Sequence, residues 1–225
     1  MKVAVICAMD EEIALLRSHM QNISARREAG LIMTDGTLAS NEIVLCLSGV
    51  GKTNAAATAQ YAISAEHVDA IINIGLAGNC TDLPLGGAVV PDSLVYHDLK
   101  MEWVSENPPY LDRFIPDDKL AAAALKACEK VGVPIARGTL ATGEQFVCDN
   151  DVKSDIMRRT GAACIDMEGT AIAHIAQKNE VPFVTVKVMS DNASDGALGS
   201  FHETLALEQY CERSAAIVCE LVTLI

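Results

Sequence analysis

Three apolar runs of this chain end in carboxylates. VAVICA (3–8) leads into Met9, Asp10, Glu11 and Glu12; ACID leads through Asp166 and Met167 to Glu168; and TVKVMS leads into Asp191. Carboxyl groups whose environments hold them in different ionisation states can divide acid and base work, one donating a proton while another activates a nucleophile. Each also has a plain structural use. Glu11 and Glu12 open a helical pattern, where acids complement the helix dipole. Asp166 suits a helix cap, and Asp191 in SDNASD suits a turn. Spacing alone yields a pocket with acids and leaves its substrate open.

Other constellations are weaker. SGVGK (48–52) ends like a phosphate-binding loop, but Cys46 stands where that motif requires its first glycine, five positions before Gly51. A tight strand-to-helix turn with an exposed Lys52 is the better reading. Gly75-Leu76-Ala77-Gly78 follows an apolar run and lets backbone approach a ligand or a neighbouring element. The histidines (His19, His67, His97, His174, His202) show neither HxxxH nor HxH spacing, so no metal centre is expected, and no GxSxG elbow occurs.

These residues must be positioned by something, and the apolar pattern says what. Half of the 225 residues are hydrophobic but only 4% aromatic, which predicts an aliphatic core in one domain spanning 1–225. Strand-length runs at 3–8, 69–75 and 182–190, a hairpin over 30–48 turned at Ser40-Asn41, and IARGTLATG as one strand alternate with helical patterns. The helices fall at 11–20, 51–67, 117–132, 150–160 and 169–179, with a long amphipathic one over 200–224. Pro91 breaks the run after Gly87, and 99–116, with three prolines and the only Trp, is the longest loop. Alternation with buried strands predicts an α/β fold: a central mixed, largely parallel twisted sheet between two helix layers. Parallel strands would then bring their acidic ends to one rim.

A net charge of −13 argues against nucleic acid as a partner, since phosphate binding relies on clustered Lys and Arg. The eight cysteines form no CxxC pair and sit mostly in apolar runs, as buried reduced thiols do. No stretch approaches the ~20 apolar residues of a membrane span, and no basic region precedes the first apolar run. A soluble, cytoplasmic protein is expected.

The motifs AMDEE (8–12), SGVGK (48–52), NIGLAG (73–78), YHD (96–98), TGEQFV (142–147), DMEGTAIAH (166–174) and SDNA (190–193) follow in one order and spacing. In this the chain resembles the purine nucleosidase/phosphorylase superfamily, and most of all the 5′-methylthioadenosine/S-adenosylhomocysteine nucleosidases. The resemblance implies a nucleoside phosphorylase-like fold and hydrolysis of the N-glycosidic bond of a 5′-modified adenosine. It implies Glu12 as the base that activates water, Asp191 as the acid at purine N7, and Glu168, beside Met167, as the holder of the ribose hydroxyls. It further implies Phe146 stacking on the purine, Val147 reading the purine edge through its backbone, and Phe201 lining the 5′ side. Ala77 and Gly78 fall near base and sugar, and Met9, Val50, Asp166 and Ser190 fall among the binding positions. A homodimer is implied too, with Met101, Val104 and Pro109 reaching the partner's 5′ pocket. Nothing calls for a metal or an organic cofactor.

The phosphorylases of that superfamily carry a glycine- and arginine-bearing segment near the N-terminus; here the first 25 residues hold only Arg17. Water is therefore the expected nucleophile, because a desolvated phosphate needs paired charge. Three positions depart from the nucleosidase pattern: Leu76 stands for a common Ser, Lys187 for an Arg and Asp166 for a Glu. They bear on water and ribose positioning, and so on substrate. The alternatives are a purine nucleoside phosphorylase, a futalosine-type nucleosidase and a non-catalytic nucleoside-binding protein.

Overall fold

The computed structural model describes residues 1–201 and 204–225, with the side chains at 200–205 outside that description. VAVIC forms β1 (Lys2–Cys7), buried from Val3 onward, and the acidic stretch behind it forms α1 (Asp10–His19). An antiparallel meander follows: β2 (Gln21–Glu28), β3 (Leu31–Leu38) and β4 (Asn41–Leu47), with β4 returning parallel to β1. The β3–β4 turn falls at Ala39-Ser40, one residue earlier than the sequence pattern suggests. The pattern also misses β2, because QNISARRE is exposed along almost its whole length and is held as an edge strand by ladder bonds, not by burial.

The Ala-rich helix α2 (Lys52–Ser64) packs small side chains closely and leads to β5 (Ala70–Asn79), which is wholly buried. Gly75-Leu76-Ala77-Gly78 is not a turn after a strand ending at residue 75; it is the second half of β5. Two short strands, β6 (Ala88–Val89) and β7 (Ser93–Tyr96), flank Pro91. The expected loop contains one helix, α3 (Met101–Ser105). Next comes α4 (Asp118–Val131), capped by the Asp117 carboxylate on the amides of Lys119 and Leu120.

IARGTLATG is not one strand but two, β8 (Ile135–Ala136) and β9 (Thr139–Thr142). The break has a reason: β8 pairs with β6, whereas β9 inserts between β7 and β10 (Ala162–Asp166). Between them in sequence lies α5 (Asn150–Thr160), and after β10 come α6 (Gly169–Lys178) and β11 (Phe183–Asp191). The single C-terminal helix expected over 200–224 is instead α7 (Ala197–Phe201) and α8 (Thr204–Thr223), while His202 and Glu203 lie outside the described residues.

Among the described residues six of ten strand pairings are parallel, giving the expected mixed, largely parallel sheet. One buried cluster packs α1, α4 and α8 on one face; another packs α2 and α6 on the opposite face. All eight cysteines are free, six of them buried. Among the described residues no helix is long and apolar enough to cross a membrane.

The centre of the sheet decides where the site lies. Along one edge, β5 pairs with β1 only through Asn73, then with antiparallel β10 only from Gly78. Between those points the sheet is split, and the chain ends of β1, β10 and β11 meet there. The expectation of one shared rim is therefore corrected: β10 runs against β5 and delivers its acidic end into the split from the other side. Changes of strand neighbour like this one are where open α/β sheets form ligand crevices.

Candidate active site

A cavity of ≈ 350 Å³ opens at the split, a size that suits a small organic ligand. Glu12, Asp166, Glu168 and Asp191 supply its acids, with Ser190 beside them; Met9, Val50, Leu76 and Met167 make apolar wall. Ala77 and Gly78 form its floor on β5, and Phe146 and Val147 line it from the segment after β9. The same wall includes Ala8, Gln145, Ile165 and Ala193, which the sequence reading does not single out. Gln145 lies inside the TGEQFV motif, so a signal for it was present.

Glu12 is 3% exposed and held by backbone alone. Its Oε2 accepts from the amides of Ala8 (2.9 Å) and Met9 (3.1 Å), and its Oε1 accepts from Leu76 (3.0 Å). The Leu76 amide lies in the split of β5, so the carboxylate satisfies a backbone donor there. This placement requires Gly75: a Cβ there would stand 2.7 Å from Glu12 Oε1. Leu76 thus serves the site through its N–H, while its side chain joins the core.

Asp191 closes β11. Its Oδ1 accepts from the Ala193 amide (2.7 Å) and its Oδ2 from the Ser190 hydroxyl (2.8 Å). Glu168 begins α6, and its Oε1 accepts from the Gly51 amide (2.8 Å) at the start of α2. Gly51 adopts φ 98°, a conformation costly for other residues. The donors that make a phosphate cradle at such a helix start are here taken by the protein's own carboxylates: Glu168 on Gly51 and Glu144 on the Lys52 amide (2.9 Å). Lys52 itself is not the exposed residue expected from the sequence; its ammonium is paired with Asp98 at 2.7 Å.

Behind the acids sits Lys187, 2% exposed, with Nζ 3.0 Å from Asp166 Oδ2. Asp166 is further held by the Thr142 hydroxyl and by the Gly169 amide (2.7 Å). Burial disfavours the Lys187 ammonium, but Asp166, Glu168 and Glu12 outweigh burial and raise its pKa. The cation then acts selectively. Burial raises the pKa of Glu12, and Lys187 and the three amides counter it. Burial also raises Asp191, opposed by Ala193, Ser190 and Lys153 but not by Lys187. Burial thus raises both acids of the cavity, and of the two only Glu12 has Lys187 opposing it. A carboxyl group with a raised pKa in an apolar cavity suits cleavage of a bond whose leaving group must take up a proton.

Burial, then Asp166, push Glu168 from 4.5 up to about 7, against the pull of Lys187. In that interval the folded protein holds a proton that the unfolded chain has released. The stability contribution is therefore complete below pH 4.5 and is lost as pH rises through about 7. The denaturation midpoint should fall between pH 5 and pH 8, with Glu168 contributing up to about 3 kcal/mol. Glu168→Gln should flatten that part of the profile. A midpoint that rises over this range would contradict the assignment.

Residues 2–223 match the family model of the phosphorylase superfamily. The 5′-methylthioadenosine/S-adenosylhomocysteine nucleosidase of Shewanella pealeana is 36% identical over 90% of this chain and 91% of its own length. That of Haemophilus influenzae is 32% identical over 99% of both chains. The Neisseria meningitidis nucleosidase, solved with methylthio-immucillin-A, superposes with a TM-score of 0.93 at 32% identity, covering 100% of this chain and 99% of that one. The chain belongs to the 5′-methylthioadenosine/S-adenosylhomocysteine nucleosidase family. A futalosine hydrolase from Helicobacter pylori also superposes, with a TM-score of 0.91 at 26% identity, over 100% of this chain and 98% of that one.

For this nucleosidase-family chain, most residues singled out in the sequence stand around one cavity. Lys187 does not line it but backs Asp166. Met101, Val104 and Pro109 lie outside it, with Val104 buried in the core. Phe201 ends α7, and its side chain lies outside the described residues. Among the described residues, no group of three His, Cys, Asp or Glu side chains is placed to hold a metal ion.

Proposed function

We propose that this chain hydrolyses the N-glycosidic bond of 5′-methylthioadenosine and S-adenosylhomocysteine, releasing adenine and the thioribose. One observation carries the reading: Glu12, Glu168 and Asp191, far apart in sequence, face the same apolar cavity. The sugar–purine bond breaks with its electron pair passing to the base, and Asp191 delivers a proton to N7. Water adds to the anomeric carbon of the cationic sugar and gives its proton to Glu12. Each such transfer contributes ~10²–10⁴-fold, in the division of labour used by inverting glycosidases. Glu168 accepts from the ribose hydroxyls. Phe146 stacks on the purine, and the Val147 backbone meets its edge. Ala77, Gly78 and Ser190 support base and sugar, while Met9, Val50, Met167 and Phe201 surround the 5′ substituent.

Water is favoured over phosphate by the charge of the site. Four carboxyl groups line the cavity, no Arg, Lys or His is among its described lining residues, and the ammonium behind it is committed to Asp166. A phosphate dianion would be desolvated there without a paired cation.

The unit at work is the single domain 1–225, as a cytoplasmic homodimer. Supporting the dimer, Trp103 and Tyr110 are 57% and 67% exposed on the 99–115 segment. Met101 and Pro109 belong to that segment and go with it to the partner's 5′ pocket, whereas Val104 is held in this chain's own core. A second reading, a futalosine-type substrate, is favoured by the hydrolase neighbour and by the apolar Leu76 on the wall.

A nucleoside panel assayed with and without phosphate tests this. Adenine and free thioribose should appear at equal rates in both. Release only with phosphate would mean phosphorolysis, cleavage of futalosine alone would mean the second reading, and binding without product would mean a non-catalytic protein.

A further inference from the structure

SGVGK and YHD are prominent in the sequence, yet the chemistry above uses neither Lys52 nor Asp98. The structure joins them. Lys52 Nζ lies 2.7 Å from both Asp98 oxygens, over the Tyr96 ring at 5.3 Å. Asp98 Oδ2 also accepts from the Glu144 amide (2.8 Å), and the Glu144 carboxylate accepts from the Lys52 amide (2.9 Å). Three segments remote in sequence thus close into a ring: the start of α2, the end of β7 and the turn after β9.

What the ring ties together is the two halves of the ligand site. Residues 145–147 follow Glu144 directly and line the cavity. Gly51 precedes Lys52 directly and donates to Glu168. Both ring side chains are only partly exposed, 22% for Lys52 and 30% for Asp98. Lys52 and the Glu144 amide outweigh burial and lower the Asp98 pKa, so it is charged at neutral pH. The His97 ring, 6% exposed, packs over Gly143, where a Cβ would meet it at 2.3 Å, and so leaves the turn no room to shift toward β7.

We infer that Lys52 and Asp98 are positioning residues that hold the 144–147 turn against the start of α2, and so set the distance between the purine-binding and ribose-binding walls. The inference rests on the nucleoside reading of the cavity. Neither side chain touches the reacting atoms; both act through Glu144 and Gly51. Their loss should weaken binding of ground and transition state alike, which raises KM and leaves kcat near its starting value.

The test compares wild type, Lys52→Met, Asp98→Asn and the double variant, reading KM and kcat with 5′-methylthioadenosine and the dissociation constant for adenine by calorimetry. Loss of charge-assisted hydrogen bonds at one point of the ring should raise KM and the adenine constant about ten- to hundredfold. The double variant should cost no more than either single one, because the ring opens once. Lys52→Arg, which keeps the charge, should recover much of the loss. Folded variants with wild-type KM and adenine affinity would overturn the inference. Should one of these variants fail to fold, Asp98→Glu, which keeps the charge but lengthens the tie, gives a second reading. KM should rise with kcat near its starting value, and a wild-type KM in that folded variant would overturn the inference. Wild-type protein that releases no adenine from any nucleoside would instead sink the hydrolase reading, while the adenine constants would still report on the ring.

Discussion

Asp191→Asn should lower kcat by about 10²–10⁴-fold while leaving the fold in place. The carboxamide keeps an oxygen for the Ala193 amide, now met at 2.7 Å, and its NH2 can donate to Ser190, so local geometry survives. What disappears is the transferable proton. The wild-type rate should decline at high pH as the raised Asp191 loses its proton, and at low pH as Glu12 gains one. In the variant the high-pH limb should vanish along with most of the rate. Pre-steady-state turnover with a thermal melt on the same sample checks both parts. Wild-type kcat in a folded variant would remove Asp191 from the acid's role.

Lys187→Met should destabilise the protein by about 3–5 kcal/mol, the usual cost of removing one partner from a buried ion pair. Lys187 and Asp166 are 2% and 0% exposed at the side chain, and the ammonium is the counter-charge within reach of Asp166, Glu168 and Glu12. Methionine fills similar volume, so the loss reads charge and not packing. A functional consequence accompanies it. Without the cation Glu12 is held less firmly as a carboxylate, and the low-pH limb of activity should move to higher pH. Asp191, which Lys187 does not perturb, should keep its high-pH limb in place. Urea unfolding at several pH values and a rate profile decide the matter. A stability change below about 1 kcal/mol would mean that the pair does not maintain the charge of the site.

Much of the fold was legible because its signals are local. Burial on both faces shows in VAVIC as an unbroken apolar run and in FVTVKVMS as a mostly apolar one interrupted by Thr185 and Lys187, and the helix patterns carry their own starts, as at Asp117 and Asp149. Where stability comes from partners distant in sequence, the pattern is silent. β2 is an exposed strand that exists because β3 pairs with it. IARGTLATG divides because its halves serve different neighbours, and β5 continues through two glycines because β11 pairs with it as far as Gly78.

The same division runs through the site. By itself the sequence determined which residues carry charge at strand ends, and the order of its motifs determined the family they belong to. Residue type and spacing are written along the chain. Only the tertiary structure decided that Glu12 is held by the amides of Ala8, Met9 and Leu76, that Lys187 neutralises one group of acids and spares Asp191, and that Lys52 and Asp98 tie the two walls together. Those outcomes depend on burial and on the split between β1 and β10, and both arise from contacts between segments that the linear order keeps far apart.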